Sequence, residues 1–195
     1  MAEQKTNPFS LYEVLLHPRE ELQKALPRAT AEAAIKRFAI HGVIIGVIAG
    51  LLPAVLTFGI SLVLFPILFV IGLLAYYLPT AFLDWSIAKL LGGKGAYTGN
   101  IFLASQFVMP LYSVSLILFI VLVILPPLGV IAFAVLGLYM AYLSIVQVSV
   151  ANQMGMGKSV LVKVIQLVLA VLVLLALGSL IQIPALPATP LINQP

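Results

Sequence analysis

Glycine-rich loops that contain lysine are the first candidates for chemistry in this sequence. Residues 89–100 read KLLGGKGAYTGN, and residues 155–159 read GMGKS. A dinucleotide fingerprint requires G-x-G-x-x-G between a strand and a helix, and here the third glycine, Gly99, falls one residue too late. A phosphate loop requires G-x-x-x-x-G-K-[ST], and Asn152 occupies the position of its first glycine. Neither segment follows a predicted strand, so we expect no nucleotide at either loop.

Catalytic and metal-binding sets of side chains are equally sparse. The only histidines are His17 and His41, the sequence has no cysteine, and Asp84 is the only acidic residue after position 37. A two-metal mechanism needs several carboxylates, and a serine nucleophile needs a histidine and an acid beside it. We therefore expect no enzymatic activity, no metal and no organic cofactor.

Asp84 is the ionisable residue that most invites a functional interpretation. An ionisable side chain inside a membrane span is a candidate for ligand or ion binding. In the alternative interpretation, Asp84 lies at the headgroup level beside Trp85 and acts as an interfacial anchor. We favour the anchor, because the predicted cytoplasmic end of its span falls near residue 88.

The distribution of charge shows which elements must position these residues. The chain has 195 residues, of which 63% are hydrophobic and 8% are charged. This composition is too apolar for a water-soluble domain, because too few polar side chains remain to cover its surface. Residues 1–37 carry eleven charged side chains, and residues 38–195 carry only five: Asp84, Lys89, Lys94, Lys158 and Lys163. The sequence predicts a polar cytoplasmic head on a membrane-embedded body, with no dense basic patch for nucleic acid.

Uncharged runs predict an all-α bundle of five transmembrane helices. A spanning helix needs about 20 apolar residues. The runs accommodate spans at about 38–57, 62–88, 101–125, 128–150 and 160–182. The first turn lies either at Pro53 or within 57–61; we favour 57–61, with Pro53 kinking the first helix. The sequence PPLG at 126–129 predicts the turn between the third and fourth spans.

Lysine and arginine residues predict the orientation of the bundle. The head, the 89–100 loop and the 151–159 loop contain Lys or Arg, whereas the 57–61 turn, the 126–129 turn and the tail contain neither. Because cytoplasmic loops are enriched in Lys and Arg, this alternation predicts a cytoplasmic N-terminus and an external C-terminus. We expect an integral, multi-pass protein, of the plasma membrane if the source is prokaryotic.

The two ends of the chain are predicted to lie outside the bilayer. In the head, residues 1–37, Ser10 and Glu13 fit a capping box, and Pro18 suits the first turn of a second short helix. The narrow apolar face of the head favours packing beneath the bundle. The alternatives are a helix lying in the cytoplasmic interface and a docking surface for a protein partner. Residues 184–195 contain four prolines and predict an extended external tail.

Two further patterns concern packing within the bilayer. Five polar residues each lie a few residues from the predicted cytoplasmic end of a span: His41, Asp84, Gln106, Gln147 and Gln166. They predict a polar layer that either joins the helices by hydrogen bonds or lines a shallow cytoplasmic cavity. Gly42, Gly46 and Gly50 form a double G-x-x-x-G, which lets another helix approach closely. That helix belongs either to the same chain, which we favour, or to a second copy.

Three stretches of sequence also occur in a suggestive order. They are NPFSLYEVLLHPRE at 7–20, LGGKGAY at 91–97 followed by ASQFVMP at 104–110, and GLY at 137–139 leading to GKS at 157–159. In this order the chain resembles the Yip1-domain family, in its compact prokaryotic form, over roughly residues 7–182. The resemblance implies five spans with a cytosolic N-terminus. Eukaryotic members are linked to Rab-type GTPases and vesicle traffic, but their Asp-Leu-Tyr-Gly-Pro motif is missing here, so that activity is not carried over.

The predicted cytoplasmic face carries the functional hypothesis. We expect a non-enzymatic scaffold, or an organiser of the bilayer or of membrane traffic, acting through the head and the lysine-bearing loops. The residues predicted to face lipid or a partner are Lys89, Gly92, Gly93, Lys94, Gly95, Tyr97 and Lys158. The expected partners are the bilayer, including anionic headgroups, a protein at the head, and a second copy of the chain.

The alternative is a small-solute transporter or channel that uses Asp84 and the polar layer. A continuous aqueous path would favour the alternative, and a solid outer half would favour the scaffold.

Overall fold

The computed structural model describes residues 10–51 and 53–180, and every regular element in these ranges is helical. Two short helices, α1 (Ser10–Leu16) and α2 (Pro18–Ala25), and a single 3-10 turn, Leu26–Arg28, precede five long helices. The long helices are α3 (Ala31–Leu51), α4 (Ser61–Leu90), α5 (Tyr97–Ile124), α6 (Pro126–Ala151) and α7 (Met156–Leu180). All five are long and apolar enough to cross a membrane, which confirms the predicted all-α class. The predicted tail, 184–195, and the first nine residues of the head lie outside the described residues.

The first long helix differs from its predicted bounds at both ends. α3 begins at Ala31, well before residue 38, and takes in three charged residues that we had assigned to the head. It ends at Leu51, so Pro53 lies in the connection and does not kink the helix. Proline has no backbone N–H with which to continue the helical hydrogen bonds, which explains why the helix ends before Pro53. Because α3 begins at Ala31, it has 21 residues and is long enough to cross a membrane even though it ends before Pro53.

The connection between α3 and α4 runs from residue 52 to residue 60 and reverses the chain at its second half. Phe58 and Gly59 have left-handed φ angles of 49° and 81°. The hydroxyl of Ser61 donates to the carbonyl oxygen of Gly50 at 2.7 Å, which joins the start of α4 to the end of α3.

Glycines let α3 and α4 approach each other closely. A Cβ atom on Gly42 would lie 2.7 Å from the Val70 side chain, and one on Gly46 would lie 2.3 Å from Cα of Pro66. Gly50 faces the start of α4 in the same way. Helix backbones at this separation leave no room for a side chain. The glycine face of α3 therefore lies against a helix of the same chain.

α5 and α6 are separated by the single residue Leu125. Residues 126–129, predicted as a turn, instead form the first turn of α6. Proline is tolerated there, because the first N–H groups of a helix have no partner within it. A Cβ atom on Gly129 would lie 2.2 Å from Cα of Leu122, so the two helices lie close together at the break.

The first turns of α5 form the centre of the bundle, where residues 99–105 are all buried. The described part of the head packs beneath this centre, with α1 against α5 and α2 against α6. Leu22 is fully buried, and the hydroxyl of Tyr139 on α6 donates to the carbonyl of Leu15. This is the arrangement that we favoured for the head.

α7 packs on the bundle through its first half alone. Ser159 and Val162 are buried, and the helix contacts α4 and α6. Residues 167–178 are all exposed. The second half of α7 therefore presents apolar side chains outward and also leaves a gap on its inner side.

Candidate functional site

A buried ion pair joins α4 to α7. The Nζ atom of Lys163 donates to both carboxylate oxygens of Asp84, at 2.7 and 2.8 Å, and to Oε1 of Gln166 at 3.2 Å. The Asp84 side chain is 2% exposed and the Lys163 side chain 18%. Ala81 and Ala88, one turn to either side of Asp84, are also buried, so the carboxylate lies on the face of α4 that meets the bundle.

Asp84, which the sequence favours as an interfacial anchor, is buried against the bundle and paired with Lys163. Its partner, Lys163, enters the sequence analysis only as one of the five charged residues after position 37. Asp84 lies six residues before the end of α4 at Leu90, and Lys163 lies seven residues after the start of α7 at Met156. At about 1.5 Å per residue, both are about 10 Å from the loop ends of their helices. The similar distance of Asp84 and Lys163 from the loop ends of their helices was the sequence signal that could have predicted their ion pair.

The ion pair is surrounded by the apolar contacts that hold α7 in place. Val162 on α7 packs with Ile87 and Ala88 on α4 and with Val148 on α6. An isolated charge in hydrocarbon is costly, and a buried pair is tolerated when its hydrogen bonds are satisfied. Here the Lys163 ammonium group has three acceptor oxygens within hydrogen-bonding distance, so the pair and the apolar contacts together fasten the first half of α7.

A cavity of about 1540 Å³ lies between α4, α5, α6 and α7; we call it the lateral groove. Its polar end is formed by Asp84, Lys163, Gln166 and Gln147. Of the residues of α4, α6 and α7 that line the groove, these four lie nearest the predicted cytoplasmic side. The rest of the lining is mainly apolar and runs outward to Leu68 on α4 and Leu174 on α7.

A second polar cluster ties the start of α5 to the end of α6. Asn100 and Asn152 are fully buried and exchange amide hydrogen bonds, with N···O distances of 3.1 and 3.0 Å. Nε2 of Gln147 donates to the carbonyl oxygen of Asn100 at 3.0 Å. Sequence analysis missed this cluster, because Asn152 drew notice only as the residue that breaks a phosphate-loop motif. Two asparagines at the ends of neighbouring spans were the available signal.

The glycine-rich loop, residues 91–96, ends α4 and packs against α6. The N–H groups of Gly93 and Gly92 donate to carbonyls in the last turn of α4, at 2.8 and 3.1 Å. This is the Schellman pattern of a helix C-terminus, and Gly92 has the left-handed φ of 86° that it requires. A Cβ atom on Gly95 would lie 1.9 Å from the last carbonyl oxygen of α6. These glycines therefore serve helix termination and close packing.

The three lysines predicted to lie in loops remain on the surface, but only Lys94 lies in a connection: Lys89 is in the last turn of α4 and Lys158 in the first turn of α7. Lys89, Lys94 and Lys158 are all exposed. The two connections are also joined to each other: the N–H of Lys94 donates to the carbonyl oxygen of Asn152 at 2.9 Å, and Nζ of Lys158 donates to that of Leu91 at 3.1 Å. The three lysines thus belong to one packed unit.

Not all of the residues predicted to face lipid or a partner do so. Gly93 and Gly95 are buried, because they lie between α4 and α6. Tyr97 is half-buried, and its hydroxyl donates to the carbonyl of Leu78 at 3.3 Å while its ring packs near that of Trp85. The accessible set is therefore the three lysines and Gly92.

The five residues of the predicted polar layer fall into two groups. Asp84, Gln147 and Gln166 line the lateral groove. His41 and Gln106 do not; both are half-buried. Their Nδ1 and Nε2 atoms, respectively, are buried without a hydrogen-bond partner among the described residues. Three members of the layer are therefore brought together around one cavity, with Lys163 as the member that sequence analysis left out.

Comparison with known proteins adds no relative to this description. No family model, curated protein or solved structure matches the chain.

Proposed function

We propose that this chain is a non-enzymatic, multi-pass membrane protein that organises lipid headgroups or a partner protein at its cytoplasmic face. The observation that carries the proposal is a surface of three lysines at the joined α4–α5 and α6–α7 connections and the helix ends beside them. Lys89, Lys94 and Lys158 are exposed, yet the backbone beneath them is held by the Schellman cap and by contacts with the end of α6. A rigid surface holds its charges in a fixed pattern without losing side-chain and loop entropy on binding.

The proposed orientation places these lysines beside the headgroups of the inner leaflet. Each lysine near an anionic surface contributes ~1 kcal/mol. The resemblance to the Yip1-domain family supports the same orientation, since its members have a cytosolic N-terminus. The order of the three matching stretches supports assignment to that family, and the packed head offers the surface on which a protein partner would dock.

The headgroup proposal can be tested by counting bound lipids. Purified protein in mixed micelles of phosphatidylglycerol and phosphatidylcholine is expected to retain the anionic lipid preferentially in native mass spectrometry. Changing Lys89, Lys94 and Lys158 together to glutamine should reduce that preference by about fivefold per lysine. The matched control changes the same three residues to arginine, which keeps the charge. Unchanged lipid selectivity in the glutamine variant would rule out this role of the lysines.

The partner proposal has its own experiment. Crosslinking pull-down from native membrane, with the head intact and with residues 1–28 deleted, should recover a protein that depends on the head. A second copy of the chain, recovered equally with both forms, would indicate association through the membrane body instead.

Transport of a small solute is a second candidate, favoured by one observation. The Asp84–Lys163 pair lies at the end of a large cavity, and the outer half of the bundle is not solid there. The chain has no cysteine, so single cysteines can be introduced without background. Cysteines at Ser144, Ser115 and Leu174 follow the groove from its polar to its outer end. Labelling of all three by a membrane-impermeant thiol reagent would favour an aqueous path, and protection of the outer two would favour the scaffold.

A further inference from the structure

The lateral groove differs from an ordinary lipid-facing surface in having one polar end. Most of its lining is aliphatic or aromatic, from α4, α5 and the exposed half of α7. Its volume of about 1540 Å³ exceeds the ~300–1,000 Å³ typical of sites for drug-sized ligands. In a bilayer such an apolar space is filled by hydrocarbon chains unless protein covers it.

The chemistry of the polar end selects the headgroup. Asp84 and Lys163 neutralise each other, and the ammonium group of Lys163 already has three acceptor oxygens within hydrogen-bonding distance. An anionic headgroup would find no free cation there, and a cationic one would compete with Lys163 for the carboxylate. A hydroxyl, by contrast, can donate to a remaining lone pair of a carboxylate oxygen without disturbing the ion pair. Uncompensated charge at this depth would be strongly unfavourable.

Neighbouring side chains supply further acceptors for a neutral polar group. The hydroxyls of Ser144 and Thr80, both in the lining, donate to the carbonyls of Ala141 and Tyr76 in their own helices. Their oxygens retain lone pairs. The polar end is therefore rich in acceptors and electrically neutral.

We propose that the lateral groove is a binding site for a neutral, hydroxyl-headed lipid of the diacylglycerol type. Its hydroxyl would donate to Asp84, and its acyl chains would lie between α4, α5 and the outer half of α7. This inference is independent of the headgroup function proposed above, which uses the exposed lysines of the loops.

The test uses the full chain in lipid nanodiscs with photoactivatable lipids. Diacylglycerol and phosphatidic acid carrying identical photoactivatable chains differ only in the headgroup. Diacylglycerol is expected to crosslink to the peptide containing residues 167–174 at least about tenfold more than phosphatidic acid, a ratio equivalent to 1.4 kcal/mol. Equal labelling by both lipids would overturn the proposal, and so would crosslinks confined to the outward face of α7.

Two neighbouring residues provide a matched pair of variants. Ala170 lines the groove, whereas Val171 is exposed beside it and does not. Ala170→Phe should fill the groove and reduce diacylglycerol crosslinking about tenfold. Val171→Phe should leave it unchanged. Equal effects of the two variants would contradict a site within the groove.

Asp84→Asn distinguishes a role of Asp84 in lipid binding from a purely structural role, because only a role in lipid binding predicts a change in lipid preference. It leaves Lys163 without its counter-charge, so the lipid preference should reverse toward phosphatidic acid. Retention of the diacylglycerol preference would refute the role of the carboxylate. Crosslinks from the groove to residues 181–195, or to a second copy of the chain, would identify a protein occupant and overturn the proposal as well. The glutamine variants of the loop lysines should not alter diacylglycerol crosslinking, so the two proposals fail independently.

Discussion

Removing one partner of the Asp84–Lys163 pair should destabilise the bundle far more than replacing both. Lys163→Gln leaves a carboxylate that is 2% exposed without its cation, and we expect a loss of about 3–5 kcal/mol in the free energy of unfolding. Asp84→Asn leaves a lysine whose side chain is 18% exposed. Partial exposure of that side chain lowers the cost of leaving its charge unpaired, so the expected loss is smaller, about 1–2 kcal/mol.

The double variant provides the decisive comparison. In Asp84→Asn with Lys163→Gln, two neutral amides replace two charges, and the free energy of unfolding should return to within about 1 kcal/mol of the unmodified chain. The three variants together define a coupling energy of at least about 2 kcal/mol. The assay is reversible unfolding in mixed micelles with increasing dodecyl sulfate. Additive losses in the double variant, or single variants that both match the unmodified chain, would show that the pair does not fasten α7.

Three further predictions concern the loops and the orientation. Gly95→Ala forces a methyl group against the last carbonyl oxygen of α6 and should cost ~1–3 kcal/mol, whereas Gly155→Ala, with open space around it, should have little effect in the same dodecyl sulfate unfolding assay. Asn152→Leu leaves the buried amide of Asn100 without its partner and should lower stability by about 1–3 kcal/mol; changing both residues to leucine should restore part of that loss, and a further additive loss would contradict the pairing. A single cysteine at Phe58 should react with an impermeant thiol reagent from outside the cell and one at Gly155 only after the membrane is opened; the reverse pattern would overturn the predicted orientation.

The number and approximate position of the long helices could be predicted because the bilayer imposes a simple rule on sequence. Uncharged runs of sufficient length must be buried in hydrocarbon, and their breaks coincide with glycine and proline. The bounds of α3 were less predictable, since a helix can extend beyond the apolar run into charged residues that face the interface. Its first turns contain charges, and only Pro53 marks its other end.

The candidate site was harder to predict, because membrane helices lack the periodicity that reveals inner and outer faces in soluble proteins. Each long helix is apolar on all sides, so the sequence does not show which polar residues point inward. Depth alone grouped Asp84, Gln147 and Gln166 correctly around one cavity. It also included His41 and Gln106, which do not line this cavity, and it omitted Lys163. Pairing between helices depends on rotation about each axis, which follows from packing.

The ion pair also has a consequence for the order in which the protein is made. Asp84 and Lys163 are separated by 79 positions, and Lys163 belongs to the last of the described helices. During synthesis the carboxylate of α4 therefore exists without its counter-charge until α7 has been made. The contacts of α4 with α5 and α6 can form earlier, but the ion pair can form only when α7 arrives. A chain truncated before α7 would carry that acid without its partner.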